Sequence, residues 1–351
     1  MSSKVKIGVI GTGSISQVHI DSYLRNPDVE IVGLCDINED RVKAVGKRIG
    51  VDNCFTEVDD LLNLELDGVS VCTWNDSHAE LSIKALEAGC NVLCEKPAAL
   101  NAKQALQMQE ASRKTGKLLQ IGFVRRYSTH VEMFKYFQQQ GLMGDLYYGT
   151  ARCMRRCGNP GGWFMDKSRS GGGPLIDLGV HMVDLAWYLA GKPNPLAVSA
   201  VTFGRIGFRD NIKGYDWYKS MDQDVDVSTV EDQAVALIRF EGGFALNLDV
   251  SFDQHIKEDV IDVNIYGNRG GFALYPHAEF FTGFGPYLAD LQPKVKPEDF
   301  GGMFRGEINH FVNCIQGKEQ CISTIDDGLV VMKILDAVYR SAEQGKEVPV
   351  E

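Results

Sequence analysis

The apolar residues of this chain keep one rhythm for roughly its first third and another after it. From residue 5, short continuous apolar runs alternate with segments of helical period. Val5, Ile7, Val9 and Ile10 make the first run, and an amphipathic segment begins at Ser14. A run of that length beside glycine reads as a buried strand leading into a helix. Runs at 30–35, 53–55, 68–73, 91–95 and 118–123 predict further strands, and 39–49, 58–62, 77–88 and 101–115 predict the helical segments between them. Gly50 and Gly89 supply two of the stops and Asn101 one of the starts, the residue types that end and cap helices. Strands that are apolar throughout and alternate with helices predict a parallel, doubly wound α/β sheet.

After residue 123 the rhythm changes. A helix is predicted over 131–140, and then come runs at 146–154, 195–208, 233–240, 245–252 and 259–266. Several alternate apolar with polar residues, as in Val235-Ala-Leu-Ile-Arg-Phe and Ala245-Leu-Asn-Leu-Asp-Val. Period-two patterning predicts an α+β domain on a large, mainly antiparallel open sheet with one exposed face. Exposed apolar faces of that size mark association surfaces, so a homo-oligomer, dimer or tetramer, is expected. A last amphipathic helix is predicted over 324–345. The 351 residues suit two domains, placed at 1–123 and 124–351.

Composition narrows the class of partner. Apolar and charged fractions of 44% and 24% are those of an ordinary globular chain. A net charge of −11 argues against nucleic acid and anionic membrane, which both select basic surfaces. The nine cysteines form an odd set without Cys-x-x-Cys, and Cys35, Cys72 and Cys94 sit inside apolar strand runs. That usage fits buried thiols in a reducing cytosol. Cys153 and Cys157 have no histidine close in sequence and are expected to be structural. Met-Ser-Ser-Lys runs straight into the first strand without a leader-like apolar stretch, and no run has membrane-spanning length, so a cytoplasmic location is expected.

Candidate chemistry begins at the first turn. Gly11-Thr12-Gly13 between strand and helix allows a tight turn, lets backbone approach a pyrophosphate at Gly13 and aims helix N–H groups at the anion. This is the Rossmann arrangement, with Ser16 at the third fingerprint position. Asp36 closes the second strand, 25 residues after Gly11, where a carboxylate accepts hydrogen bonds from adenosine ribose hydroxyls. A 2′-phosphate would meet that carboxylate with no adjacent arginine, since Arg41 is five residues on and expected on the helix. NAD is therefore expected over NADP. Thr73, Trp74, Asn75, Glu95 and Lys96 fall at the carboxyl ends of strands, where such sheets bind ligands. Pro97 biases Lys96 away from helical backbone.

The glycine turn, the tripeptide Glu95-Lys96-Pro97 and the pair Asp177-x-x-x-His181 together resemble the glucose–fructose oxidoreductase / inositol dehydrogenase / MocA family, over nearly the whole chain. Trp74 stands where that family usually has proline. The resemblance implies an NAD-binding Rossmann domain with cofactor contacts from Gly11, Thr12, Gly13, Ser14, Ile15 and Asp36. It implies further cofactor contacts from Thr73, Trp74, Asn75, His78, Glu95 and Lys96. Arg126 is either a substrate contact, as the resemblance implies, or one of a solvated arginine pair.

The stretch from Gly171 to Gly191 predicts a helix, with Pro174 at its first position and Gly191 at its stop. Asp177 and His181 are i and i+4 and share one face. A carboxylate beside an imidazole fixes its tautomer and stabilises the imidazolium, as a general base requires. Such a pair is also an ordinary structural contact. The glycine-rich approach and the separate Lys96 signal favour catalysis. His181 is then expected to take a hydroxyl proton, Asp177 to orient it and Lys96 to stabilise alkoxide character, with the first proton acceptor, His181 or Lys96, left open. Trp163, in Gly161-Gly-Trp-Phe, either stacks on a sugar ring or fills core. The loop 209–230 is a candidate lid or intersubunit arm. His255, His277 and His310 show no ligand spacing, and no metal site is expected. The reading is an NAD-dependent dehydrogenase of a secondary hydroxyl on a sugar, polyol or inositol. A glycosidase that retains NAD and an NAD-binding regulator without catalysis are the alternatives; Lys96, Asp177 and His181 together weigh against the second.

Overall fold

The computed structural model describes residues 4–225, 227–294 and 300–351. In chain order the helices are α1 (Ser14–Leu24), α2 (Glu39–Ile49), α3 (Val58–Leu62), α4 (His78–Glu87), α5 (Ala102–Thr115), α6 (Thr129–Gln139), α7 (Lys167–Ser170), α8 (Val180–Leu189), α9 (Phe300–Ile315) and α10 (Ile325–Gln344). The chain divides into two compact units, Met1–Val124 with Asp299–Leu329, and Arg125–Glu298 with Val330–Glu351.

The first unit is built on six parallel strands: β1 (Val5–Ile10), β2 (Val29–Cys35), β3 (Cys54–Phe55), β4 (Gly68–Val71), β5 (Asn91–Cys94) and β6 (Leu119–Ile121). Their order is β3-β2-β1-β4-β5-β6. The order reverses between β1 and β4, the switch point where doubly wound sheets open a ligand crevice. Ile7, Val9, Leu34 and Leu93 are fully buried, as the apolar runs predict. The sequence reading placed all of 124–351 in the second domain and assigned no helix at 300–315. Instead α9 returns to the first unit, where Ile308, Phe311 and Val312 join the core of Ile7, Val9, Ile20 and Tyr23. Just beyond it, Ile121 N donates to Ser323 O at 2.8 Å, beside the last strand. Gly301, Gly302 and Gly306 lower the intrinsic helix propensity of this segment; burial against α1 and the sheet restores it.

The second unit carries a nine-stranded sheet of β7 (Leu146–Met154), β8 (Pro195–Phe203), β9 (Gln233–Phe240), β10 (Ala245–Ser251), β11 (Val260–Gly267), β12 (Gly270–Ala273), β13 (Glu279–Phe284), β14 (Tyr287–Leu291) and β15 (Val348–Pro349). The order is β14-β13-β12-β11-β7-β10-β9-β8-β15. Among the described residues β7 and β10 pair in parallel and the other pairs of this sheet are antiparallel. Leu246, Leu248 and Val250 point to a buried face with Ala151, Val263 and Ile265, and α8 lies across β7, β10 and β11. Tyr147, Val201, Phe203 and Ile261 are exposed. The strand expected over 195–208 ends at Phe203, because the Asp232 carboxylate accepts from the backbone N–H groups of Arg205, Ile206 and Gly207 at 2.5, 2.6 and 3.0 Å and folds the chain into a turn.

Candidate active site

At the end of β1 the backbone of Gly11 has φ +87°, and a Cβ there would stand 2.5 Å from the Cys72 carbonyl oxygen. Gly13 caps α1 without a side-chain bond and no acidic residue follows in the first turn. Among the described residues, no heavy atom beyond its chain neighbours and the helix's own backbone lies within 4 Å of the place a Gly13 Cβ would take. Helix N–H groups without a protein anion, facing space that a side chain would fill, fit a pyrophosphate. Ser14 and Ile15 are partly exposed beside them, and Ser16 is buried with its hydroxyl on Gly13 O at 2.7 Å. The small third residue thus serves packing and the turn.

Asp36 is nearly buried. Its Oδ2 accepts from Thr12 N at 2.7 Å and Thr12 Oγ1 at 2.8 Å, and its Oδ1 accepts from Asn38 N at 2.9 Å. Thr12 is therefore bonded to Asp36 by both backbone and side chain. Three of the roughly four lone-pair positions of the carboxylate are occupied. The expectation that no arginine neighbours Asp36 is corrected: Arg41, in the first turn of α2, brings Nη1 to 3.7 Å from Oδ1. Helix periodicity returns residue 41 over the N-terminal end of α2, a proximity that counting along the chain does not give.

Beyond β4, Thr73 and Trp74 are partly exposed and Asn75 is buried. His78 is also buried; Nδ1 donates to Pro97 O at 2.7 Å and Nε2 to Thr73 O at 3.1 Å. Both ring nitrogens are spent on backbone, so His78 joins the loops after β4 and β5. Burial opposes its charge, but the Cys94 sulfur and the two carbonyls overcome that and push the imidazole up to about 9. Glu95 is buried too, accepting from His19 Nε2 at 2.9 Å and Lys96 N at 3.1 Å. Burial works to raise its carboxyl, and the His19 ring, Lys96 and His78 bring it below the usual range. Glu95 thus supports the backbone of Lys96, whose side chain is partly exposed and whose peptide to Pro97 is cis.

In the second unit, the expected helix opens as one π turn, Leu175–Gly179, and continues as α8. π turns recur at functional sites. Over 175–189 every residue is buried except Asp177 and His181. The glycines before it are set by their neighbours: a Cβ on Gly172 would meet Tyr339 Oη at 1.9 Å, and one on Gly173 the Glu231 carbonyl at 2.2 Å. Glu231 accepts from Gly173 N at 3.1 Å, Leu175 N at 3.2 Å and Tyr339 Oη at 2.9 Å, placing a carboxylate on the helix N-terminus. Sequence reasoning missed Glu231 and Tyr339; both lie far along the chain from residue 173, and only the fold brings them there.

Arg126 differs from expectation. Its side chain has no exposed surface, its Nε lies 3.1 Å from both carboxylate oxygens of Asp184, and its Nη2 donates to Oδ1. The guanidinium also lies 4.3 Å over the Tyr188 ring. It is an internal ion pair holding residues 125–127 to α8, and not a solvated cation. Trp163 is partly exposed and packs on Phe164 with ring centroids 4.0 Å apart.

The oxidoreductase family with an NAD-binding Rossmann fold (Gfo/Idh/MocA) matches residues 5–123, and its C-terminal alpha/beta domain matches residues 139–351. The D-glucoside 3-dehydrogenase of Escherichia coli is 33% identical over 99% of this chain and 98% of its own. The myo-inositol 2-dehydrogenase of Thermotoga maritima is 24% identical over 99% of both chains. Among solved structures, levoglucosan dehydrogenase in complex with NADH superposes with a TM-score of 0.88 at 21% identity, covering 99% of this chain and 100% of that one. The two domain matches, which together span most of the chain, identify it as a member of the Gfo/Idh/MocA oxidoreductase family, an NAD-dependent enzyme.

Proposed function

We propose that this enzyme oxidises a secondary hydroxyl of a sugar, polyol or inositol, with His181 as the base, Asp177 as its orienting carboxylate and Lys96 as the stabiliser of the developing alkoxide. The observation that carries the reading is the selective exposure along 175–189, where Asp177 and His181 alone break an otherwise buried helix. A helix core holds both groups rigidly, which general-base catalysis rewards. NAD, when bound, supplies the hydride acceptor. His181 takes the hydroxyl proton, and the Asp177 carboxylate favours the imidazolium that results. The Lys96 ammonium donates to the substrate oxygen as its charge grows.

Thr12, Gly13 and Asp36 would hold the pyrophosphate and adenosine ribose, with Ser14, Ile15, Thr73, Trp74 and Asn75 contacting the rest of the dinucleotide. Glu95 acts from beneath Lys96. Trp163 is assigned to stacking on the sugar ring. The substrate class draws support from relatives named as D-glucoside and myo-inositol dehydrogenases. The exposed Val201 and Phe203, which alternate with buried Val198 and Ala200 on β8, support a homo-oligomer joined through the open sheet face. Nine free cysteines support a reducing, cytoplasmic setting. Among the described residues no helix is long and apolar enough to cross a membrane.

The test is a panel of glucosides, free sugars, inositols and polyols with NAD, read by NADH absorbance. Net NADH with at least one member supports the reading. Glycoside cleavage without net NADH would place the chain with NAD-retaining glycosidases instead.

A further inference from the structure

None of the roles assigned above involves His310, Cys314 or Cys321, which folding brings together. A ring nitrogen and two sulfurs from these residues all lie within 4.8 Å of one another. His310 and Cys314 are one turn apart on α9, and Cys321 comes back to them on the segment that follows. The sequence reading weighed Cys153 with Cys157 and the spacing of His255, His277 and His310, and passed over this His-x-x-x-Cys turn. Cys314 Sγ is 3.5 Å from His310 Nε2. A tetrahedral metal at ~2.3 Å from sulfur and ~2.0 Å from imidazole nitrogen sets that edge at about 3.5 Å.

The ring is already in a ligand's tautomer. Ile322 N donates to His310 Nε2 at 3.1 Å, so the ring proton is on Nδ1, which donates to Glu319 Oε2 at 2.5 Å. Asn313 Nδ2 holds the other oxygen of Glu319 at 2.7 Å. A carboxylate on the far nitrogen, itself anchored, is the outer support that orients metal-binding imidazoles. Gln120 Oε1 stands 3.5 Å from Cys321 Sγ, a neutral oxygen beside the cluster. The histidine is buried and the two thiols are half-buried, so the group is enclosed yet reachable.

We propose that His310 Nε2, Cys314 Sγ and Cys321 Sγ bind a thiophilic divalent cation, zinc foremost, with Gln120 Oε1 or a water completing the tetrahedron. Two thiolates and one imidazole select zinc over magnesium or calcium. On binding, both thiol protons leave to solvent, two metal–sulfur bonds and one metal–nitrogen bond form, and the Ile322 N–H passes from the ring to a thiolate. The ion would clip the end of α9 to the segment whose Ser323 carbonyl bonds Ile121 beside β6. Its role is structural, because it fastens the late-returning helix to the first unit.

The experiment uses full-length reduced protein, stripped with a chelator and titrated with cobalt(II), then zinc. Expected are one cobalt per chain with thiolate-to-metal charge-transfer absorption, its displacement by zinc, and a raised Tm with zinc. Cys314→Ser and Cys321→Ser abolish the absorption, and Glu319→Gln weakens cobalt binding by about tenfold or more; Cys54→Ser leaves it intact. Circular dichroism establishes that each variant is folded. No charge-transfer absorption in the wild type, or absorption that survives both serine variants, would overturn the site. So would a Cys314–Cys321 disulfide formed on exposure to peroxide in protein that takes up no cobalt, which reassigns the pair to redox chemistry.

Discussion

Asp36 presents a carboxylate that Thr12 and Asn38 already hold in place. A 2′-phosphate would meet that fixed charge, but it would also meet Arg41 at 3.7 Å from the same group. The balance leaves a preference for NAD, with Arg41 ready to reverse it. Wild type should use NAD over NADP by at least tenfold in kcat/KM, roughly 1.4 kcal/mol, and Asp36→Ser, which keeps Arg41, should narrow the ratio below that. Equal use of both cofactors by the wild type would remove Asp36 from its role. Arg126 supports a prediction of another kind. Removing one partner of a buried ion pair leaves a bare charge and costs about 3–5 kcal/mol. Arg126→Ala should lower the free energy of unfolding, read from denaturant titration, by that much while the folded fraction keeps its substrate KM. A large rise in KM at unchanged stability would return Arg126 to the substrate.

Elements were legible where their apolar pattern is local. The strands of the first sheet are buried on both faces and short, so each shows as a run, and five helices fall between them as the punctuation by Gly50, Gly89 and Asn101 suggests. The helix carrying Asp177 and His181 was legible too, but its opening π turn was not, nor was its cap by Glu231, 58 positions from Gly173. Strands β12 to β14 escaped notice because Gly270, Gly271, Gly283 and Gly285 blur the alternation that marks a half-buried strand. At this scale His78 makes a pH prediction. Its pKa is raised on folding to about 9. The stabilisation it gives is whole below about 6.5, the unfolded value, and is lost as pH rises through the folded one. The Tm of wild type should therefore fall between about pH 7 and 10 more steeply than that of His78→Asn. Parallel slopes would show that the two loops are not held by a charged ring.

At the scale of the molecule, the two-part architecture was visible in the switch from continuous to alternating apolar runs, whereas the return of residues 300–315 to the first unit was not. That return is long-range packing of Ile308, Phe311 and Val312 on Ile20 and Tyr23, and nothing in the local pattern of α9 says which core it will join. Site residues followed the same divide. Turns and spacing proposed Gly11, Gly13, Asp36, Asp177 and His181 as candidates, while the engagement of His78 and Arg126 by their own chain needed coordinates. The central claim, hydride transfer from a hydroxyl deprotonated by His181, is tested most directly by His181→Ala, with steady-state kinetics on the best substrate of the panel and an NAD titration of the same protein. The account predicts a fall in kcat of about two to four orders of magnitude, an NAD dissociation constant that stays where it was, and loss of the acidic limb of kcat/KM that the imidazole imposes. Near-normal turnover in His181→Ala would contradict it and move the base to Lys96.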